Sequence, residues 1–325
     1  MLNPIVGIGN AIVDVIAPAD DGFLARMGID KGVMQLVARE RAEALYAAMK
    51  DRRQVAGGSV ANSIAGIGAL GLATAFIGRV RDDDLGRFYA TAMAVGGTRF
   101  VNPPVEGGGL PTSRSMILVS PDGERSMNTY LGISAELGPE DVSESVLSRA
   151  RILFLEGYLF DRDAGKRAFS RAAQLTRTAG GMAGITLSDP FCVSRHRADF
   201  RKLVRELDFV LGNEHEWCAL YETDLSSALE QAAAEARLVV CTRSQHDVVA
   251  VRGDERAVIP VVAADVVDAT GAGDQFAAGF LYGLATGAGL EVAGRMGCIA
   301  AREVIGHYGA RPEADVGALF RAAGL

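Results

Sequence analysis

The stretch Val266–Leu284 constrains this chain more than any other. Val266 and Val267 read as the end of a strand and Gly271, Ala272 and Gly273 as a tight turn, after which Phe276, Ala277, Phe280, Leu281 and Leu284 recur at helical spacing. A strand, a glycine turn and a helix make an anion site. With little or no side chain in the turn, backbone N–H groups can close on a phosphate, and the helix start adds unpaired donors and a positive dipole end. Asp274 then stands where an anion is unwelcome. A carboxylate makes chemical sense there if it takes a proton from a hydroxyl that attacks the terminal phosphorus. An acid in the first turn of a helix is also favoured by the dipole alone. The spacing by itself leaves both readings open.

Bulk properties narrow the partners. The 325 residues carry a formal net charge of −7, which argues against nucleic acid, since that binding relies on basic surface. No apolar run approaches the ~20 residues that cross a bilayer, so no membrane partner is expected. Met1–Pro4 leads straight into a strand without a signal core, and a cytoplasmic location is expected. Without a repeat or a linker rich in Pro, Ser or charge, residues 1–325 read as one large α/β domain with an elaboration. The cysteines Cys192, Cys218, Cys241 and Cys298 and the histidines His196, His215, His246 and His307 show no zinc-ligand spacing.

Taken in order, Pro4–Ile16 reads as a buried first strand interrupted by Gly7 and Gly9. Ile12 occupies the third glycine position of a dinucleotide fingerprint, which speaks against that motif. Asp14, amid apolar neighbours, suits a turn or a ligand for hydroxyls, because a carboxylate only accepts hydrogen bonds. Ser59 reads as an N-cap and Gly71 as a stop for a helix of small residues, with Asn62 one turn from Gly57 and Gly58. Ala73–Gly78 reads as a strand and Asp83–Val95 as a helix. Thr112–Val119 and Arg125–Leu131 alternate around the turn Ser120–Glu124 and predict a hairpin with one wet face. From Arg151 on, strands at Ile152–Leu155, Gly184–Leu187, Phe209–Leu211, Leu238–Cys241 and Val248–Val251 alternate with helices, the mark of a parallel sheet covered on both faces. Asn213–Glu216 has the form of a capping box. Ser188–Asp189–Pro190 follows a strand end, where open α/β sheets place ligands.

DATGAGDQFAAGF, Asp268–Phe280, resembles the C-terminal signature of the PfkB family of carbohydrate and nucleoside kinases. GGSVANS, Gly57–Ser63, resembles the family's other signature, Asn10 and Asp14 fit its N-terminal pattern, and Asn213 and Glu216 match its N-x-x-E motif. ERSMNTYLGIS, Glu124–Ser134, is similar to a segment of bacterial adenosine-kinase-like members. The resemblance implies a ribokinase-like three-layer α/β/α fold with a mostly parallel central sheet and a small β-sheet lid, formed by segments near 13–16, 32–36, 54–56 and 100–131. It implies ATP and Mg²⁺ as cofactors. In the family, Asp274 would be the catalytic base, and the amides of Gly271, Ala272 and Gly273 the anion hole. Asn10, Asp14, Gly57, Gly58 and Asn62 would bind the substrate, and Asn213, Glu216 and Thr242 the nucleotide. Glu216 would organise Mg²⁺ through water, and Asp268 and Thr270 would hold a monovalent cation, usually K⁺.

The expected reaction is transfer of the γ-phosphate of ATP to a primary hydroxyl of a nucleoside, first adenosine at its 5′-OH, with lid closure as the specificity step. Ribokinases carry a lysine after the glycine pair, where this chain has Ser59 and Val60, which leans away from ribose. Two alternatives stay open: a kinase of a free sugar or another nucleoside, and a nucleoside-binding protein without turnover. No GxxxxGK[ST] occurs, which excludes a P-loop kinase. Tyr130 and Phe160 are candidates for stacking on a base. Both a monomer and a homodimer are compatible with the resemblance.

Overall fold

The structure, a computed structural model, describes residues 4–325, so Met1–Asn3 of the expected lead-in lie outside it. Strands β1 (Ile5–Ile8), β5 (Thr74–Ile77), β6 (Thr98–Phe100), β9 (Ile152–Glu156), β10 (Met182–Thr186), β11 (Phe209–Asn213), β12 (Val239–Arg243), β13 (His246–Arg252) and β14 (Glu255–Ile259) form a 9-stranded sheet in the order β14-β13-β12-β11-β10-β9-β1-β5-β6. From β12 to β6 every pairing is parallel, and β13 and β14 add an antiparallel edge. Parallel strands need crossovers, and the helices that supply them cover both faces.

The side chains show why the strands read as unbroken apolar runs. Every residue of β9, ILFLE, is buried. Ile152 and Phe154 face one core, where Phe154 meets Phe209 with ring centroids 6.1 Å apart, and Leu153 and Leu155 face the other. That alternation is the two-residue period of a strand with two dry sides. Each fully buried Leu or Ile contributes about 1.5–3 kcal/mol over leaving it in water.

Strands β2 (Ile12–Pro18), β3 (Met34–Leu36), β4 (Arg53–Gly57), β7 (Ser113–Val119) and β8 (Arg125–Tyr130) form a 5-stranded sheet in the order β3-β8-β7-β2-β4. Three expectations need correcting. The expected single strand Pro4–Ile16 is two strands in different sheets, because the chain leaves the large sheet at Gly9–Ala11 and enters the smaller one as β2. The wet face expected of the hairpin β7–β8 is turned inward: Ser115, Met127 and Thr129 line a cleft rather than the outer surface. Met116 and Leu118 pack in the core with Leu45 of the helix Arg39–Ala48, while Ser115, Ile117 and Thr129 are buried as well. Val266 and Val267 do not end a strand: they lie exposed in a segment outside both sheets, joined to its surroundings by the Val267 amide, which donates to the Ile305 carbonyl at 2.8 Å. β-Branched residues there mimic a strand with no neighbour to pair with.

Candidate active site

Chain order places the cleft. After β1 the large sheet grows to one side through β5 and β6, and the later strands β9 to β12 grow to the other, so the crossovers diverge between β1 and β9. Open α/β sheets bind ligands beyond the carboxyl ends of strands at such a switch point. Here Asn10, just past β1, donates from Nδ2 to Glu156 Oε1 at the end of β9 at 2.7 Å, and its backbone amide donates to the same oxygen at 3.2 Å. The second oxygen, Oε2, accepts from the Val60 amide at 3.2 Å. A cleft of ≈ 580 Å³ opens above this pair. The strand ends supply its floor, the smaller sheet its roof, and the helix Ala272–Thr286 one wall.

That helix begins at Gly271, whose φ of +81° suits glycine, and a Cβ there would meet Ala310 Cα at 2.5 Å. The residues Gly271, Ala272 and Gly273 therefore form the turn into the helix, where the Ala272 amide donates to the Ala269 carbonyl at 3.2 Å and the first-turn amides of a helix otherwise lack intrahelical partners. Asp274 is pinned from a second helix, Ser59–Ala69. Ser59 Oγ donates to Asp274 Oδ1 at 2.7 Å and Asn62 Nδ2 to Oδ2 at 3.1 Å. Gln275 Nε2 ties the two helices further by donating to the Asn62 carbonyl at 3.2 Å and to that of Ala310 at 2.9 Å. Burial pushes the Asp274 carboxyl up to about 6 against the pull of the Ser59 and Asn62 hydrogen bonds. An acid so placed is ionised at neutral pH yet close to its own titration, which suits a general base.

Ser59 is not the N-cap expected of it. The cap position is Gly58 at φ +100°, and Ser59 is the first helical residue, its hydroxyl free to hold Asp274. Gly57 of β4 lies against the Asp14 carboxylate of β2, and Gly58 against the Asn10 carbonyl, just outside the cleft lining. The Asp14 carboxylate has no hydrogen-bond partner among the described residues and lines the cleft. Burial raises it to about 7, Arg311 and Arg125 pulling it down and Asp274 pushing it further up. Arg311 Nε also reaches Asn62 Oδ1 at 3.4 Å.

Across the floor, Asn213 and Glu216 do form the capping box: Asn213 Oδ1 accepts from the Glu216 amide at 3.0 Å, and Glu216 Oε2 from the Asn213 amide at 2.8 Å. Glu216 is 4% exposed, and burial lifts its carboxyl up to about 8, with Asp189 adding to the rise. Asp189 itself caps the helix Pro190–Arg195, accepting from the Cys192 amide at 2.7 Å. Thr242, Thr270 and Gly273 border the same cleft. Among the described residues no group of three or more His, Cys, Asp or Glu could hold a metal by itself. A lone buried acid with no cation partner fits an ion that is bound chiefly by phosphate and water, as hydrated Mg²⁺ is.

Two sequence candidates fall elsewhere. Phe160 is buried, stacked on Phe200 at 5.0 Å, and Tyr130 is buried outside the cleft lining. The apolar surface of the cleft comes instead from Met34, Leu36, Met127 and Leu131, with Tyr158 and Phe191 opposite. Sequence reasoning also missed Ser59 as a partner of the acid, Glu156 and Arg125. For Glu156 a signal existed: an acid closing a run of apolar residues at a strand's carboxyl end.

Comparisons with known proteins agree with this fold. The pfkB family carbohydrate kinase model matches residues 27–315. The structure of adenosine kinase from Sinorhizobium meliloti superposes with a TM-score of 0.91 at 44% identity, covering 99% of this chain and 100% of that one. A probable sugar kinase from Rhizobium etli CFN 42 gives a TM-score of 0.91 at 41% identity, over 100% of this chain and 99% of its own. The 5-dehydro-2-deoxygluconokinase of Geobacillus thermodenitrificans is 27% identical across 78% of this chain and 79% of its length. The fold, the cleft at the switch point and a family match over most of the length converge: the chain belongs to the PfkB family of carbohydrate kinases, phosphotransferases that act on hydroxyl groups of sugars and nucleosides.

Proposed function

We propose that the chain is an ATP-dependent adenosine kinase that phosphorylates the 5′-hydroxyl. The observation that carries the choice of acceptor is the apolar strip Met34, Leu36, Met127 and Leu131, which the smaller sheet holds over the cleft on the same side as Asp14. A free sugar would leave that strip in water, whereas a planar base covers it. The full-length likeness to the Sinorhizobium meliloti enzyme points the same way.

In this reading Asp14, Asn10 and Asn62 accept and orient the ribose hydroxyls against Gly57 and Gly58. Asp274 takes the proton of the attacking hydroxyl as its oxygen bonds to the γ-phosphorus and the bridging bond to ADP breaks. The amides of Gly271, Ala272 and Gly273 receive the charge on the transferred group. Asn213, Glu216 and Thr242 lie where the nucleotide's phosphates and adenine would extend along the floor. Mg²⁺, when bound, would neutralise phosphate charge and be held through water by Glu216. The loose transition state asks for little covalent help, so positioning and electrostatics supply most of the rate. The smaller sheet acts as a lid that excludes water, a competing nucleophile. Among the described residues no helix is long and apolar enough to cross a membrane.

The test is ADP release from ATP and Mg²⁺ across adenosine, inosine, guanosine, ribose and fructose. Adenosine is expected to exceed every sugar by at least about tenfold in kcat/KM, the scale of about 1.4 kcal/mol that burying one apolar strip supplies. Turnover confined to a free sugar would overturn the acceptor. Failure of every acceptor, with adenosine still raising the melting temperature, would favour a binding protein.

Turnover should also depend on pH in one direction. The base works ionised, and its carboxyl is raised to about 6, so half is protonated near that pH and kcat falls below it. On the acid side log kcat should drop by about one per pH unit and level off above neutrality. A flat profile between pH 5 and 7, roughly the window spanned by that shift, would remove Asp274 as the titrating group.

A further inference from the structure

The family pattern reserves Asp268 and Thr270 for a monovalent cation, and this protein already has a cation there. Arg125, on β8 of the smaller sheet, places Nη2 2.9 Å from Asp268 Oδ2, with the two side chains 8% and 6% exposed. Its Nη1 donates to Thr270 Oγ1 at 3.3 Å. The remaining capacity of Asp268 is taken by backbone: Oδ1 accepts from the Thr270 amide and Oδ2 from the Gly309 amide, each at 3.0 Å. The guanidinium carbon lies 5.6 Å from the centroid of the Tyr308 ring. Arg125 Nε is buried without an acceptor, so the pair with Asp268 and Thr270, rather than contacts along its own strand, sets where the guanidinium sits.

Potassium does not fit beside it. An ion at the Asp268 carboxylate would share one buried negative charge with a guanidinium already bonded to it, and would meet a like charge at close range. Guanidinium is the better resident, being planar, delocalised and weakly hydrated, so it loses less on leaving water than a compact ion does. We propose that Arg125 is the cation of this site, standing where the family pattern would put potassium, and that the chain therefore turns over without a monovalent cation. The ion pair also joins the smaller sheet to the glycine turn, so the charge that supports the turn arrives with the roof. The proposal rests on the kinase reading only where it speaks of turnover.

The experiment compares the full-length protein in potassium, sodium and choline chloride at equal ionic strength, with three readouts: thallium(I) binding by equilibrium dialysis, as a surrogate for potassium, melting temperature, and ADP release. The wild-type chain is expected to bind no thallium, to melt alike in all three salts, and to change turnover by less than about twofold. In Arg125→Ala, thallium should bind, and potassium, but not choline, should raise the melting temperature in a saturable way. Arg125→Lys keeps a charge in place and should remain indifferent to potassium. Stoichiometric thallium binding by the wild-type chain, or a potassium-specific rise in its melting temperature, would overturn the proposal. So would an Arg125→Ala variant that folds and ignores potassium. Should that variant fail to fold, the wild-type and Arg125→Lys arms decide alone. If no acceptor is turned over, the kinase reading fails, and dialysis and melting still decide the identity of the cation.

Discussion

Asp274→Asn is expected to retain ATP binding and lose at least about 100-fold in turnover, the contribution typical of a positioned general base. The substitution is nearly isosteric, and its amide oxygen can still accept from Ser59 Oγ, which holds Asp274 Oδ1 at 2.7 Å. What disappears is the capacity to take a proton, together with one accepting position, since the new amide nitrogen cannot accept from Asn62 Nδ2. The fold should not suffer. A carboxyl whose folded pKa is raised stabilises the native state below the unfolded value, and that advantage is lost as pH rises through the folded one. At assay pH the ionised Asp274, lifted from 3.8 to about 6, is therefore a burden on stability that asparagine removes. Calorimetry of ATP binding beside ADP release separates the two effects: turnover within a few-fold of wild type would take Asp274 out of the mechanism, whereas lost ATP binding would mean that the turn had moved.

The second large effect is expected from Gly57→Ala, and it falls on the acceptor. A methyl group at Gly57 would overlap both carboxylate oxygens of Asp14, the side chain read here as the grip on ribose hydroxyls. Gly57 lies in β4, paired with Ile12, so the backbone is extended and accepts alanine; the strain must be relieved by swinging the carboxylate aside. Losing its hydrogen bonds to two hydroxyls would cost about 1.5–3 kcal/mol, a rise in KM for the acceptor of about 10- to 100-fold. KM for ATP and the melting temperature should change little. An unchanged acceptor KM would show that Asp14 does not touch the substrate, and a collapse in melting temperature would show instead that β2 and β4 cannot absorb the methyl.

Much of the site could be read before the fold because its chemistry is local. Gly271 to Asp274 are consecutive, and Asn213 and Glu216 close a box within one helical turn, so spacing carries the geometry. The partners of those residues are far away in sequence. Ser59 meets Asp274 across 215 positions, Asn10 meets Glu156 across 146, and Arg125 meets Thr270 across 145. No periodicity reports such a contact. The misreadings have the same root: Val266–Val267 has the composition of a strand without a neighbour, and the face of the hairpin β7–β8 that alternates as if exposed lines the cleft instead of the outer surface. Local pattern fixes which residues could pair or bury, and tertiary context decides which do.

The passage of the chain between its two sheets carries one more consequence. Gly9–Ala11 is the whole length of chain between β1 and β2, and Gly58 alone separates β4 from the helix Ser59–Ala69. A change in the angle between the sheets has to be absorbed at these short crossings, whereas Val101–Thr112 offers slack between β6 and β7. Asn10, in the first crossing, lines the cleft, and Gly57 and Gly58 at the second adjoin Asp14 and the Asn10 carbonyl. On the proposed reading, hinge and grip would be the same few peptide units. An acceptor that settles against them biases the angle, and by reciprocity the angle sets how tightly the acceptor is held. Inter-sheet geometry and acceptor affinity would then act as a single mechanical variable, with no relay of side chains between a distant sensor and the bound molecule.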